Sequence, residues 1–204
     1  MGIGGLVIVG LTVSAATHQS FPAVVGAAAA SIAGAGASAP SSVGGTSSGL
    51  GAGVTCPAAA PVVIGTITVP AGPVAGYCQD RLVNAAHIMV AGKAMGLDTH
   101  AQAIGVMTAM GESSLVNVDH GDAVGPDSRG LFQQRANGTW GTYEQRMTPE
   151  VAATSFFSRL IGVPNWNTEA PTLAAHAVQI NADPYHYAKY WPAAEQVVDG
   201  LSAP

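Results

Sequence analysis

The first 79 residues of this 204-residue chain contain no aspartate, glutamate, lysine or arginine. A folded surface without charge is poorly solvated, so the chain must divide its duties near residue 80. The formal net charge of −5 then belongs wholly to the part that begins at Asp80. Such a length accommodates one ordinary domain with appendages. The basic residues in that domain stand singly rather than in clusters. Neutralising a phosphate backbone needs clustered Lys and Arg, so a nucleic-acid surface is excluded.

The uncharged part divides in turn. Residues 3–13 (IGGLVIVGLTV) are an apolar run too short to cross a bilayer, which takes about 20 apolar residues. The run matches the apolar region of a secretory signal, and Ser14-Ala15-Ala16 and Ala37-Ser38-Ala39 supply small-residue cleavage sites. No Lys or Arg stands near Met1, where a signal has a basic start. Residues 1–39 are read as a signal or membrane-anchor region, with membrane contact through residues 3–35. The alternative is a low-complexity tail with no targeting role. Residues 40–77, rich in Gly, Ala, Pro and Ser, read as a linker, with PVVIGTITVP (61–70) as one short extended segment. Cys56 and Cys78 bracket that segment. An even cysteine count in an exported chain points to a disulfide, and closing a loop of that size contributes roughly 3 kcal/mol in the chain-entropy view. Metal binding is the weaker reading, since neither cysteine has a second ligand at suitable spacing.

From residue 78 the periodicity is helical. DRLVNAAHIMVAGKAMG (80–96) aligns Leu82, Val83, Ala86, Ile88, Met89 and Met95, with Gly96 as the stop. Thr99-His100-Ala101-Gln102 has capping-box spacing and opens a helix that buries Ala103, Ile104, Met107 and Met110 and ends near Ser113. Thr148-Pro149-Glu150 starts another, with Phe156, Phe157, Leu160 and Ile161 inward. Pro171-Thr172 leads into a fourth, and Asp183-Pro184 caps a last segment interrupted by Pro192. Four or five helices without a confident strand make residues 78–204 a small all-α domain, long enough to bury a working core.

Between the second and third helices lies GESSLVNVDHGDAVGPDSRGLFQQR (111–135), polar, acidic and aperiodic. Glu112 closes the preceding helix. The partial negative charge there disfavours a carboxylate, so shielding from water raises its pKa. A carboxylic acid that keeps its proton near neutrality can protonate the leaving oxygen of a glycosidic bond. A solvent-exposed helix-end glutamate with no such role is the plain alternative.

Glu112-Ser113, a polar loop and Ser128-Arg129-Gly130-Leu131-Phe132-Gln133 resemble the signature of the lysozyme-like superfamily, the soluble lytic transglycosylases and goose-type lysozymes. GESSL…DSRGLFQQR…WGT is closer still to the lysozyme-like domains of actinobacterial cell-wall and conjugation proteins and of their phages. AAHAVQINADPYHYAKYWPAA (174–194) is similar to the ending of those domains, so the resemblance covers about residues 78–198. It implies a lysozyme-like helical fold, Glu112 as general acid and base, and a glycan held between the 99–113 helix and the 114–135 loop. It places Ser128 and Gln133 at the substrate, and Leu131 and Phe132 in the core, with Ser113 steadying the helix end. It implies no cofactor and no metal.

Where many transglycosylases carry Ala-Tyr-Asn-Ala-Gly, this chain has Ala177-Val178-Gln179-Ile180-Asn181. The tyrosine that would touch the acid is therefore Val178, leaving Tyr187 or Tyr185 as replacements. A hydrolase needs a second carboxylate to activate water, and Asp122 and Asp127 are the candidates. A lytic transglycosylase needs none. Asp next to Gly or Pro is also ordinary turn chemistry, the reading preferred for Asp119. Trp140, Tyr143 and Tyr187 are candidate sugar-binding aromatics. Gly45-Thr46-Ser47-Ser48-Gly49 matches a nucleophile elbow only by composition, with no strand before it or helix after it. His87 and His176 read as core or boundary residues, and His120 beside Asp119 is a weak ligand candidate. The expected partner is peptidoglycan, cut at the MurNAc-β-1,4-GlcNAc bond outside the cytoplasm. The rival from another class is a non-catalytic peptidoglycan-binding or structural module of a secretion, conjugation or phage-tail apparatus.

Overall fold

The computed structural model describes residues 53–203, so the expected signal or anchor region 1–39 and the start of the expected linker lie outside the described residues, as does the Gly45–Gly49 match. A short hairpin, β1 (Val62–Ile64) and β2 (Ile67–Val69), comes first. The helices α1 (Gln79–Ala94), α2 (Thr99–Ser113), α3 (Tyr143–Met147), α4 (Pro149–Leu160), α5 (Pro171–Gln179) and α6 (Trp191–Ser202) follow, with a 3-10 turn at Ala188–Tyr190. The fold is thus mainly helical, in keeping with the all-α expectation for residues 78–204, and the extended segment expected at 61–70 is a two-stranded hairpin. Val62 pairs with Val69 and Ile64 with Ile67 in antiparallel register. Ile67 and Val69 alternate into the core while Thr68 faces out, which gives three residues of strand a buried side. Cys56 and Cys78 form the expected disulfide, and Cys78 is also the N-cap of α1. The described part of 40–77 is therefore fastened to the helical body rather than hanging from it. No described helix is long and apolar enough to cross a membrane.

α2 is the organising element. Every residue from Ala101 to Met110 is buried, so the single apolar face expected from periodicity understates it. Its "polar" side holds alanines, Gly105 and Thr108, and Thr108 returns its hydroxyl to the Ile104 carbonyl at 2.7 Å. Small side chains let α1, α4, α5 and α6 all close on it. The N-cap is Asp98, one residue before the expected Thr99 box, because the Asp98 carboxylate accepts the Ala101 amide at 2.9 Å.

Prolines mark helix starts throughout. Pro149 and Pro171 open α4 and α5 as expected, and Pro192 likewise sits in the first turn of α6 instead of interrupting a helix. Gly96 takes φ +73° beyond the end of α1, the left-handed geometry for which glycine is suited. Ile161, expected inward, lies one residue past α4 and is 49% exposed. The short α3 was not anticipated from periodicity. Its local signal is a capping box between Thr142 and Gln145.

Candidate active site

Glu112 lies in the last turn of α2, half-buried. The helix ends at Ser114 and Leu115, which take φ +54° and +60°. Their amides return to the Met110 and Ala109 carbonyls, the closure that glycine usually makes. Two consecutive non-glycine residues in this region are costly and need outside support. It comes from α1: Arg81 donates to the Ser114 carbonyl, and Asn84 donates to that of Leu115 at 2.8 Å. Gln133 (φ +46°) and Ile180 (φ +53°) add two more such residues. Four of the six non-glycine residues with positive φ among the described residues thus lie in segments that adjoin Glu112 or contact its neighbours.

Burial pushes the Glu112 carboxyl above the usual carboxylate range. Three groups oppose that rise: the Tyr187 hydroxyl, the Gln179 side chain and the nearby His186. Tyr187 donates its proton to Glu112 Oε1. Its ring can lie there because the preceding residue is Gly111, where a Cβ would come within 2.6 Å of the ring. Burial, and then the Glu112 charge, push the Tyr187 phenol far up, so it stays a donor at every physiological pH. Tyr187 is fully buried and offers no face to a sugar. The expectation that it binds substrate is corrected: it holds the acid.

The turn from Arg129 to Gln134 is closed by reciprocal backbone hydrogen bonds between those residues, at 3.1 and 2.9 Å. Gly130 enters it at φ +77°, where any side chain would strike the Arg146 carbonyl. Leu131 and Phe132 are fully buried, Phe132 stacked on Phe156 with centroids 4.9 Å apart. Two hydrogen bonds fasten this turn to the acid's neighbourhood. Ser113 Oγ lies 2.8 Å from the Leu131 carbonyl oxygen, and Gln179 donates to the Phe132 carbonyl at 2.8 Å. Gln133 is half-buried and donates to the Gly130 carbonyl at 3.2 Å.

The remaining expected site residues fare differently. Ser128 is buried by the Gly125–Ser128 turn, its amide bonded to the Gly125 carbonyl at 2.9 Å, so it supports the loop rather than facing substrate. Trp140 is buried as well, with the Arg159 guanidinium 4.5 Å from its ring centroid, and is corrected to a packing residue. Tyr143 is 45% exposed and donates to Asp119 at 2.8 Å, which steadies its ring at the surface. Asp119 also pairs with Arg129 at 3.2 Å.

Asp122 accepts the Val124 and Gly125 amides, at 2.9 and 2.6 Å. Asp127 accepts the Ala136 amide at 2.7 Å and pairs with Arg135; that amide and that guanidinium hold its carboxyl below the usual range. Both aspartates are thus engaged in shaping their loop. His87 faces Glu150 at 2.9 Å on the surface, and His120 is exposed. Among the described residues no three His, Cys, Asp or Glu side chains gather at metal-binding spacing.

Sequence reasoning missed Gln179 and Arg146. Gln179 was legible only as part of a similar ending, and Arg146 carried no signal. Arg146 is buried and donates to the Asp127 and Gln134 carbonyls, at 2.7 and 2.9 Å, bracing both ends of the Ser128–Gln133 segment. Surface concavities of about 420–570 Å³ lie elsewhere, and Glu112 lines none of them. The acid stands instead at a half-open position beside the Gly130–Gln133 turn. No protein-family model matches the sequence, and no curated protein matches it as a relative.

Proposed function

We propose that this chain is a lysozyme-like enzyme that cleaves peptidoglycan glycan strands at the MurNAc-β-1,4-GlcNAc bond, by transglycosylation in preference to hydrolysis. The observation that carries the reading is the environment of Glu112. A half-buried carboxyl ends a buried helix, its pKa raised by burial, its Oε1 held by a buried tyrosine, beside a rigid Gly-Leu-Phe-Gln turn. Such a group keeps a proton to donate and has its geometry fixed in advance.

In the reaction the Glu112 proton passes to the glycosidic oxygen as its bond to the muramoyl C1 breaks. The 6-hydroxyl of the same muramoyl residue attacks C1 and returns its proton to Glu112, leaving a 1,6-anhydro end. One carboxyl suffices as acid and then base. A hydrolase needs a second carboxylate free to activate water. Asp122 and Asp127 are committed to loop amides and Arg135, which favours the transglycosylase over the muramidase. Tyr143, exposed and steadied by Asp119, offers a face on which a sugar ring can stack. The Cys56–Cys78 disulfide accords with work outside the cytoplasm, where such bonds persist.

The test is mass spectrometry of fragments released from purified peptidoglycan by the full chain, beside Glu112→Gln. The expected products end in 1,6-anhydro-muramic acid, one water lighter than reducing ends. Reducing ends would reassign the chain as a hydrolase. Release equal to that of the Glu112→Gln control would replace the enzyme reading with a binding module.

A further inference from the structure

The segment that delivers Tyr187 to the acid carries a second pair of polar side chains. Its backbone closes three residues back each time: the amides of His186, Ala188 and Tyr190 bond the carbonyls of Asp183, Tyr185 and Tyr187, at 3.1, 3.1 and 2.9 Å. In such tight turns side chains three apart stand over one another. Tyr187 and Tyr190 therefore share one side, and His186 and Lys189 another. Both of the latter border the Tyr190 ring, with Lys189 Nζ 4.9 Å from its centroid and the His186 ring centroid 6.4 Å away. His186 Nε2 lies 3.3 Å from the carbonyl oxygen of Gly111, the residue before Glu112. A carbonyl only accepts, so Nε2 is the donor, and Nδ1 of the neutral ring is left as an acceptor. Lys189 is exposed. Of the seven basic side chains in the sequence, six donate a hydrogen bond to a carbonyl, a hydroxyl or a carboxylate. Among the described residues Lys189 donates none and joins no ion pair; it rests only over Tyr190.

Resting on the proposed function, we infer that Lys189, with the His186 acceptor beside it, is a subsite for the peptide stem of the muramoyl residue and receives a stem carboxylate. The class of ligand follows from the chemistry of the substrate. In a strand that bears stems, each lactyl carboxyl is tied up in an amide, so the sugars are uncharged and the carboxylates belong to the peptide. The stem leaves from C3 of the same ring whose C1 is attacked, which brings it past the surroundings of the acid. A peptide also offers N–H groups, the partner that His186 Nδ1 lacks. The chain's formal net charge of −5 repels an anion over most of its surface. A cation with no internal partner, two residues from Tyr187, supplies attraction where the stem departs. Bare glycan leaves both groups unused.

The experiment compares two soluble glycan strands, one with its stems and one stripped of them by an amidase, which leaves only the lactyl carboxylate on each muramoyl ring. Affinity is measured by titration calorimetry with the full chain carrying Glu112→Gln, so that nothing is cut, and kcat/KM with Glu112 in place. Adding Lys189→Gln should weaken binding of the stem-bearing strand about 3- to 10-fold, between the worth of an exposed ion pair and that of a charge-assisted hydrogen bond. Binding of the stripped strand should not change. On the stem-bearing strand kcat/KM should fall by the same factor, through KM with kcat held. Lys189→Glu should weaken binding further, and added salt should erase the preference of the Lys189 chain for stems. Equal losses on both strands would assign the lysine to the lactyl carboxylate or to general attraction, and no loss would leave it idle; either result overturns the inference. If the wild type releases no more fragments than Glu112→Gln, the enzyme reading falls, and the contrast in affinity still decides whether a stem is bound here.

Discussion

The two ends of α2 are built by opposite rules. At its start Asp98 places a carboxylate on the positive end of the helix and accepts a free amide, satisfying charge and hydrogen bonding together. At its finish a carboxylate stands on the negative end, and the chain turns away through two left-handed residues that are not glycine. A change toward the ordinary pattern would cost nothing at the first end and would improve stability at the second. On the proposed reading, the difference separates what keeps the fold from what the fold is kept for.

Replacing Glu112 with Gln gives the sharpest contrast. Fragment release should fall by about 10²–10⁴-fold, the usual worth of a positioned general acid. Stability should move the other way. Because the folded-state pKa of Glu112 lies above its unfolded value, the folded chain keeps this proton where the unfolded chain has lost it. The group's favourable contribution is therefore complete at acid pH and disappears as pH rises through the folded-state pKa. Thermal unfolding at several pH values should show Glu112→Gln gaining on wild type as the pH approaches neutrality. The rate of the wild type should decline across the same rise, as the acid loses its proton. A melting-temperature difference that ignores pH would break the contrast between the two helix ends.

Gly111→Ala is expected next in size. The added methyl would meet the Tyr187 ring at 2.6 Å, so the ring must shift or the helix end must. Overpacking of this kind typically costs about 1–3 kcal/mol, and here it also withdraws the proton donor from Glu112. Denaturant unfolding and fragment release should both suffer. At the other end, Asp98→Ala should cost about 1 kcal/mol of stability and leave turnover per folded molecule unchanged.

What the sequence disclosed follows the same division. Helices announce themselves by local spacing, proline and glycine, so α1, α2, α4 and α5 were legible to within a residue or two. Glu112 and the Gly130–Gln133 turn were legible because their residues are close together in the chain. The Tyr187 bond was legible only as one of two tyrosines, Tyr187 or Tyr185, since it spans 75 residues and depends on a missing side chain at Gly111. Trp140 looked like a sugar platform because nothing local reveals that Arg159 would cover it. Of the hairpin only one extended segment was legible, because three-residue strands carry too little pattern, and only the core behind Ile67 and Val69 gives them a reason to form.

Ser114→Gly carries the smallest expected effect and tests the comparison most directly. Ser114 is exposed, sits at φ +54°, and contributes to its neighbours through a backbone carbonyl that glycine retains. Glycine adopts this conformation without the clash a Cβ brings, although it also loses more freedom on folding. The balance should stabilise the chain by a few tenths to about 1 kcal/mol, read as a higher denaturant midpoint at an unchanged slope. Turnover should hold, because Arg81 still pins the carbonyl and Glu112 keeps its place. A gain in stability with a loss of turnover would mean that the strain itself orients the acid. The unfavourable end of α2 would then be part of the mechanism rather than a tolerated cost of placing a carboxyl there.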